Sequence, residues 1–235
     1  MEKYIVEEFR KRKNPLVIQV PISEITQKFP ILLQLWNEYK GMCNYGTNPI
    51  NQTNILNKLI QNNSIFSEMK KEVMVFPNKK NYLDFETNST YKNRSVLPID
   101  MLYNEVWNVR NAKYQHLVNG VSFPDYYWDK KRLDEMTKLG IEARGNFYYP
   151  KGGFREWHTN VHHPRGYRMY FITCPEDNKS WFNYIDPKTN KVYNLPDKNE
   201  YANIFYVYND INKVIWHSIY SETDRFSLGF NISSI

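Results

Sequence analysis

The stretch from Tyr148 to Asn160 reads YYPKGGFREWHTN, and it decides how the fold of this 235-residue chain is interpreted. His158 and Asn160 are two residues apart, so on a β-strand their side chains project from the same face. An imidazole and a carboxamide can therefore contribute to one site.

A second stretch, WHSIYSETDRFS from Trp216 to Ser227, has the same character. Arg225 and Ser227 share one strand face, while Phe226 projects from the other. His217 comes shortly before them. This alternation predicts a strand with one polar face turned into the interior of a barrel.

The chain around these stretches, from Gly140 onward, consists of short aromatic and β-branched runs separated by turn residues, which is typical of antiparallel sheets. The predicted strands are Ile141–Pro150, Gly166–Thr173, Trp181–Asp186, Ile204–Tyr208, Val214–Ser218 and Phe226–Ile232. Between two of them, DPKTNK (Asp186 to Lys191) has the proline and asparagine of a turn. The pattern predicts a meander or a double-sheet jelly roll.

The first part of the chain has helical periodicity instead. The predicted helices are Ile31–Lys40, Thr53–Gln61, Ile65–Lys71, Asp100–Arg110 and Asp125–Leu139. Gly140 suits the left-handed residue that closes the last of them. We expect a single α+β, mainly β domain over 1–235, with a mainly helical flanking region at 1–139 and a jelly-roll core at 140–235.

Composition limits the class of protein. The net charge is +6, and no concentrated basic stripe accompanies it, which argues against a dedicated nucleic-acid binder. Two cysteines, Cys43 and Cys174, form no disulfide pattern, so a reducing compartment is expected. The absence of a signal peptide and of a membrane span predicts a soluble, intracellular, cytoplasmic protein. Abundant asparagine and lysine indicate an AT-rich genome, such as a viral one.

The ordered series His158-x-Asn160, distal His217 and Arg225-x-Ser227 resembles the 2-oxoglutarate/Fe(II)-dependent oxygenase superfamily, whose pattern is His-x-Asp/Glu, a distal His and then Arg-x-Ser. The resemblance covers roughly Gly140 to Ile232. It implies a double-stranded β-helix in which His158 and His217 ligate Fe(II). It also implies that Arg225 and Ser227 bind the distal carboxylate of 2-oxoglutarate. Imidazoles suit Fe(II), and a guanidinium suits a carboxylate.

The sequence departs from this family pattern at Asn160, which stands where the carboxylate ligand is expected. Three interpretations are open. Asn160 ligates the metal weakly, it leaves that position to water or halide, or the domain has lost its metal. Another residue could also substitute, because Glu156 shares the strand face of His158, and His162 and His163 follow closely enough for a three-histidine site.

Other polar residues have two candidate roles each. A tyrosine hydroxyl just upstream of the first histidine, on Tyr148 or Tyr149, could reach the co-substrate. Arg225 could instead form a surface ion pair with Glu222 or Asp224.

The function predicted from these residues is hydroxylation of an unactivated C–H bond, with Fe(II), 2-oxoglutarate and dioxygen. The alternative is a jelly-roll binding or structural module that has lost its iron. No sequence feature identifies the substrate, for which a protein, a nucleotide and a small metabolite all remain candidates. Because Arg155 and Arg168 lie near the predicted site, we expect one of them to bind substrate or co-substrate.

Overall fold

The structure, a computed structural model, describes residues 1–44, 119–120, 129–149, 151, 153–160, 163–210 and 213–233. The helices within this part of the chain are α1 (Glu2–Lys11), α2 (Ile22–Lys28), α3 (Pro30–Asn44) and α4 (Lys130–Lys138). The strands are β1 (Val17–Pro21), β2 (Asn119–Gly120), β3 (Ile141–Tyr149), β4 (Phe154–His158), β5 (Gly166–Thr173), β6 (Ser180–Ile185), β7 (Val192–Pro196), β8 (Tyr201–Val207), β9 (His217–Ser221) and β10 (Arg225–Ile232).

The strands form two antiparallel sheets that pack face to face. The larger sheet has the order β1-β8-β5-β10-β3-β2, and the smaller has the order β4-β9-β6-β7. Phe182 of the smaller sheet meets Phe205 of the larger one, with ring centroids 5.3 Å apart. A core of aromatic and β-branched residues, which includes Tyr149 and Ile219, occupies part of the space between the sheets. The architecture is mainly antiparallel and jelly-roll-like, as the sequence predicts.

The helices cover the other face of the larger sheet. Trp36 of α3 is 1% exposed and packs edge-on against Phe171 of β5, at a ring-centroid distance of 5.6 Å. Tyr39, one turn further on, is fully buried and donates its hydroxyl hydrogen to the carbonyl oxygen of Ser227 over 3.0 Å. An apolar helix face with one satisfied polar tip therefore anchors α3 to β10.

Several predicted elements correspond closely to the structure. Gly166–Thr173 is identical to β5, and Ile141–Pro150 differs from β3 by one residue. Gly140 follows α4 with φ 67°, the left-handed conformation that glycine adopts freely. In the predicted turn, Asn190 has φ 55°, and the Asp186 carboxylate accepts a hydrogen bond from the Lys188 amide over 2.8 Å.

Other predictions need correction. The N-terminal region is not only helical, because Val17–Pro21 (β1) pairs with β8 at one edge of the larger sheet. The strand predicted at Val214–Ser218 lies at His217–Ser221, since the apolar residues before His217 form the approach to the strand. Val192–Pro196 is a strand that was not predicted. The predicted helices at 53–61, 65–71 and 100–110, and the first residues of the one at 125–139, lie outside the described residues.

A β-bulge shapes the inner surface of the larger sheet. The register between β10 and β3 shifts at Gly229, so Arg144 and Gly145 together stand opposite this one residue. A Cβ atom at Gly229 would lie 2.1 Å from the carbonyl oxygen of Arg144, so only glycine fits there. Bulges redirect side chains, and here Arg144 lines the space between the sheets.

Among the residues that the structure describes, no helix combines the length and the apolar character needed to cross a membrane.

Candidate metal and anion site

A cavity of about 350 Å³ lies between the two sheets. Its walls come from β3, β4, β5, β6, β9 and β10 and from the residues just after β4. The predicted site residues that line it are His158, Asn160, His217, Arg225 and Ser227. The fold therefore brings together side chains that are up to 69 residues apart in sequence.

His158 and His217 are neighbours across two strands. They are register partners in the antiparallel pair of β4 and β9, and their ring centroids are 4.2 Å apart. His217 is 2% exposed and packs against the rings of Phe182 and Phe205, at centroid distances of 5.3 and 5.0 Å. Two imidazoles this close, with one held rigidly by aromatic packing, suit a shared metal ion.

The backbone fixes the protonation state of His217. Its Nδ1 lies 3.1 Å from the carbonyl oxygen of Ile215, so this nitrogen carries the hydrogen and donates it. Burial, with a smaller contribution from the charges of Arg155 and Arg168, lowers the pKa of His217 to about 4, against the opposing effect of the Ile215 hydrogen bond. At neutral pH the ring is neutral, and the Nε2 lone pair is available as a ligand.

Asn160 lies beside that lone pair. β4 ends at His158, and two residues later the amide nitrogen Nδ2 of Asn160 lies 3.3 Å from Nε2 of His217. The amide nitrogen donates to the unprotonated imidazole nitrogen. A half-turn of the carboxamide would present its oxygen at the same place, and this oxygen is the atom that ligates metals.

Among the described residues, the candidate donors are these three side chains. Within the described part of the chain, no group of three or more His, Cys, Asp or Glu side chains is arranged to hold a metal ion. His163 lines the cavity from an exposed position but completes no such group, so a three-histidine site that includes it is not formed. His162 and the side chain of Glu156 lie outside the described residues.

Arg225 is buried and forms an ion pair with a buried carboxylate. It is 2% exposed, and its Nε donates to Oδ2 of Asp197 over 2.8 Å. Asp197 is fully buried and also accepts hydrogen bonds from Ser180 and Asn203, each over 2.7 Å. The guanidinium lies over the ring of Tyr149, 5.0 Å from its centroid. The surface ion pair with Glu222 or Asp224 considered above is therefore wrong, and the partner is Asp197.

The register of β3 against β10 separates the two candidate tyrosines. Tyr149 is paired with Arg225 and lines the cavity, whereas Tyr148 is paired with Phe226 on the opposite face. The hydroxyl of Tyr148 donates to Oδ1 of Asp224 over 3.0 Å, and its ring stacks on Phe226. Of the two tyrosines considered for the co-substrate, Tyr148 thus lies away from the cavity, and Tyr149 takes the inner position.

Two basic residues predicted near the site also line the cavity, namely Arg155 and Arg168. Sequence reasoning missed Asp197 and Arg144. Asp197 follows β7 in a loop, and no local pattern relates it to Arg225, which is 28 residues away. Arg144 is directed inward only by the bulge at Gly229.

No protein-family model matches this sequence, and comparison with curated proteins gave no match. Solved structures show distant likenesses. OsALKBH1 is 14% identical, with a TM-score of 0.29, over 37% of this chain, and the match spans 47% of that protein, about half its length. A Pseudomonas putida prolyl-4-hydroxylase is 14% identical, with a TM-score of 0.30, and the match covers 61% of this chain and 90% of the hydroxylase chain. The viral collagen prolyl hydroxylase vCPH from Paramecium bursaria Chlorella virus-1, in its 2OG complex, is 10% identical, with a TM-score of 0.29, over 49% of this chain and 78% of its own. At these TM-scores the functional conclusion rests on the geometry of the site itself.

Proposed function

We propose that the protein is an Fe(II)- and 2-oxoglutarate-dependent oxygenase of the hydroxylase type, acting on an unidentified substrate. The observation that carries the proposal is the cavity in which a histidine pair and a buried arginine occur together. His158 and His217 supply two imidazoles, and Arg225 supplies a permanently charged guanidinium. A metal ligand pair and a carboxylate-binding group are the two requirements of this chemistry.

The residues fit the metal by their donor chemistry. Neutral imidazoles bind Fe(II), and Nε2 of His217 is kept unprotonated by the bond from Nδ1 to the Ile215 carbonyl. Asn160 adds an amide oxygen as the third donor. Because an amide offsets less positive charge than a carboxylate, this set should bind the metal more weakly than two histidines with an aspartate. Bound Fe(II) supplies the redox chemistry that activates dioxygen as 2-oxoglutarate loses carbon dioxide.

We assign co-substrate binding to Arg225 and Ser227, which line the same cavity as the histidine pair. In the proposal, the guanidinium of Arg225 and the hydroxyl of Ser227 bind the distal carboxylate of 2-oxoglutarate. Asp197 bonds to Nε, so it fixes the orientation of the guanidinium without occupying the cavity. Tyr149 packs beneath the charged plane and restricts its movement.

The direct test is anaerobic addition of Fe(II) and 2-oxoglutarate, followed by absorption spectroscopy and a succinate assay in air. We expect a weak visible charge-transfer band that is lost in His217→Ala, and a loss of 2-oxoglutarate binding in Arg225→Gln. Tyr148→Phe is the matched control, because this tyrosine lies on the opposite face, and it should retain the band. Absence of both the band and succinate in the unaltered protein would refute the proposal.

A second candidate function is a jelly-roll binding module without iron. It is favoured by one observation, the neutral Asn160 in place of a carboxylate beside His217. Metal analysis and thermal unfolding with Fe(II) or Mn(II) separate the two, since a ligand that binds only the folded state raises its stability. A module without a metal site would show no shift.

A further inference from the structure

The cavity has an excess of positive charge. Four guanidinium groups line it, those of Arg144, Arg155, Arg168 and Arg225, and no Asp or Glu of the described chain does so. Arg225 is neutralised from behind by Asp197, and Arg144 by Glu142 at 2.7 Å. These pairs compensate charge at two positions of the wall.

Arg168 differs from these two. Its side chain is 1% exposed, and neither Nε nor Nη1 has a hydrogen-bond partner among the described residues. Burial lowers the pKa of Arg168, with nearby Arg144 adding to the effect and Tyr170 and Glu142 opposing it. The group stays charged because an arginine remains protonated even when its pKa is moderately lowered. A buried charge without a partner is unfavourable and calls for an explanation.

Asn231 is the neighbour of Arg168 on β10 and has the same property. The two are register partners, and Asn231 is fully buried with neither its Oδ1 nor its Nδ2 hydrogen-bonded within the described part of the chain. Arg168, which lines the cavity, therefore has as its register partner a buried amide that is also unsatisfied among the described residues.

This position is separate from the one at Arg225. Arg225 and Asn231 are six residues apart on β10, which corresponds to about 20 Å between their Cα atoms in an extended strand. Arg168 also pairs with Phe205, whose ring contacts His217. The histidine pair and these two arginines thus line one cavity, with the arginines on different parts of the larger sheet.

We propose that Arg168, with Arg144, binds an oxyanion in the cavity, and that the substrate is a small molecule carrying a carboxylate or phosphate group. The assignment of this ligand as the substrate rests on the proposed function, whereas the anion position itself does not. A guanidinium with two unengaged nitrogens matches the paired oxygens of such a group. A cavity of about 350 Å³ accommodates a small ligand.

The test compares Arg168→Gln with Arg225→Gln in the full chain loaded with Mn(II). Binding of inorganic phosphate, acetate and 2-oxoglutarate is measured by calorimetry and by thermal unfolding. We expect Arg168→Gln to weaken binding of the preferred oxyanion at least about tenfold, and 2-oxoglutarate binding less than about twofold. Arg225→Gln should instead weaken 2-oxoglutarate binding strongly and binding of the preferred oxyanion little. The stronger of the phosphate and acetate responses identifies the acidic group of the substrate.

Folding of the variant is itself informative. Because Arg168 has no hydrogen-bond partner for Nε or Nη1 in the described structure, Arg168→Gln should unfold at the same temperature as the unaltered protein or a higher one. A clear drop would mean that the arginine serves a structural partner, and it would overturn the inference.

The remaining outcomes are also decisive. Phosphate and acetate binding that is unaffected by Arg168→Gln would overturn the inference, as would loss of 2-oxoglutarate binding in that variant. If the unaltered protein binds an oxyanion through Arg168 but binds no 2-oxoglutarate, the proposed function fails while the anion position stands.

Discussion

The two faces of β10 are buried to a similar extent but are chemically opposite. On one face Leu228, Phe230 and Ile232 are 0–1% exposed and belong to the apolar core beneath the helices. On the other, Arg225 and Ser227 are each 2% exposed and line the cavity. Burial therefore does not distinguish the core of this protein from its site, and the kind of side chain does.

The comparison shows how stability and binding are divided within one strand. The apolar face stabilises the fold by removing hydrocarbon from water. The polar face removes charge from water, which is unfavourable unless a partner compensates it. Asp197 is that partner for Arg225. Substitutions on the two faces should accordingly have separable effects.

The largest expected effect is on the apolar face. Phe230→Ala removes a fully buried ring that packs edge-on against Phe171, 5.3 Å between centroids. We expect a loss of about 3–5 kcal/mol in the free energy of unfolding, measured by urea denaturation. The affinity of the remaining folded protein for 2-oxoglutarate should not change. If Phe230→Ala weakened 2-oxoglutarate binding while stability stayed intact, the two faces would not have separate roles.

The next largest effect concerns the ion pair behind the polar face. Asp197→Asn leaves the guanidinium of Arg225 buried without a counter-charge, and we expect a loss of about 3 kcal/mol in unfolding free energy. This is the lower end of the usual range, because asparagine can still accept a hydrogen bond.

A double variant provides the control. Adding Arg225→Met to Asp197→Asn removes the uncompensated charge and should recover part of the stability, while binding of 2-oxoglutarate stays lost. If Asp197→Asn were as stable as the unaltered protein, the pair would not be the compensation described here.

The alternation on β10 was predictable because it is local. Arg225 and Ser227 share a face by strand geometry alone, and the sequence sufficed to place them together. The identity of the ion partner was not predictable, since Asp197 reaches Arg225 only through tertiary structure. The same holds for the choice between Tyr148 and Tyr149, which depends on the register of β3 against β10.

The bounds of short strands were also difficult to predict from the sequence. β1 (Val17–Pro21) has five residues and gains its stability from pairing with β8, so its own sequence carries a weak signal. Conversely, the apolar run before His217 has strand-like composition, but only its last residue, Trp216, continues the ladder to β6, where its carbonyl accepts from the Ile185 amide. Tertiary hydrogen bonds decided both cases.

Acid should destabilise the polar face selectively. His217 has a pKa of about 4 when folded against an ordinary value of 6.5, so the unfolded chain takes up the proton first as the pH falls. The stability contributed by the neutral ring is present above pH 6.5 and is lost between pH 6.5 and about 4. The loss is at most about 3 kcal/mol.

Urea denaturation of chelator-treated protein across this pH range measures the effect. His217→Gln is the control, because it keeps a polar side chain but does not titrate there, and its stability should depend less on pH. Equal pH dependence in both proteins would assign the acid sensitivity to other groups.

The smallest expected effect is on metal affinity, and it concerns Asn160, the uncharged side chain beside His217. Asn160→Asp places a carboxylate next to Nε2 of His217 in nearly the same volume, so Fe(II) or Mn(II) should bind about tenfold more tightly in a calorimetric titration. Asn190→Asp is the matched control, because it adds the same charge at an exposed turn and should leave metal affinity unchanged. Equal effects of the two substitutions would show that net charge, and not ligation, is responsible.

Succinate production by Asn160→Asp then distinguishes two explanations for the asparagine. Tighter metal binding with unchanged or reduced succinate production indicates that asparagine is the functional residue at this position, whereas increased production indicates an enzyme that has lost its carboxylate ligand.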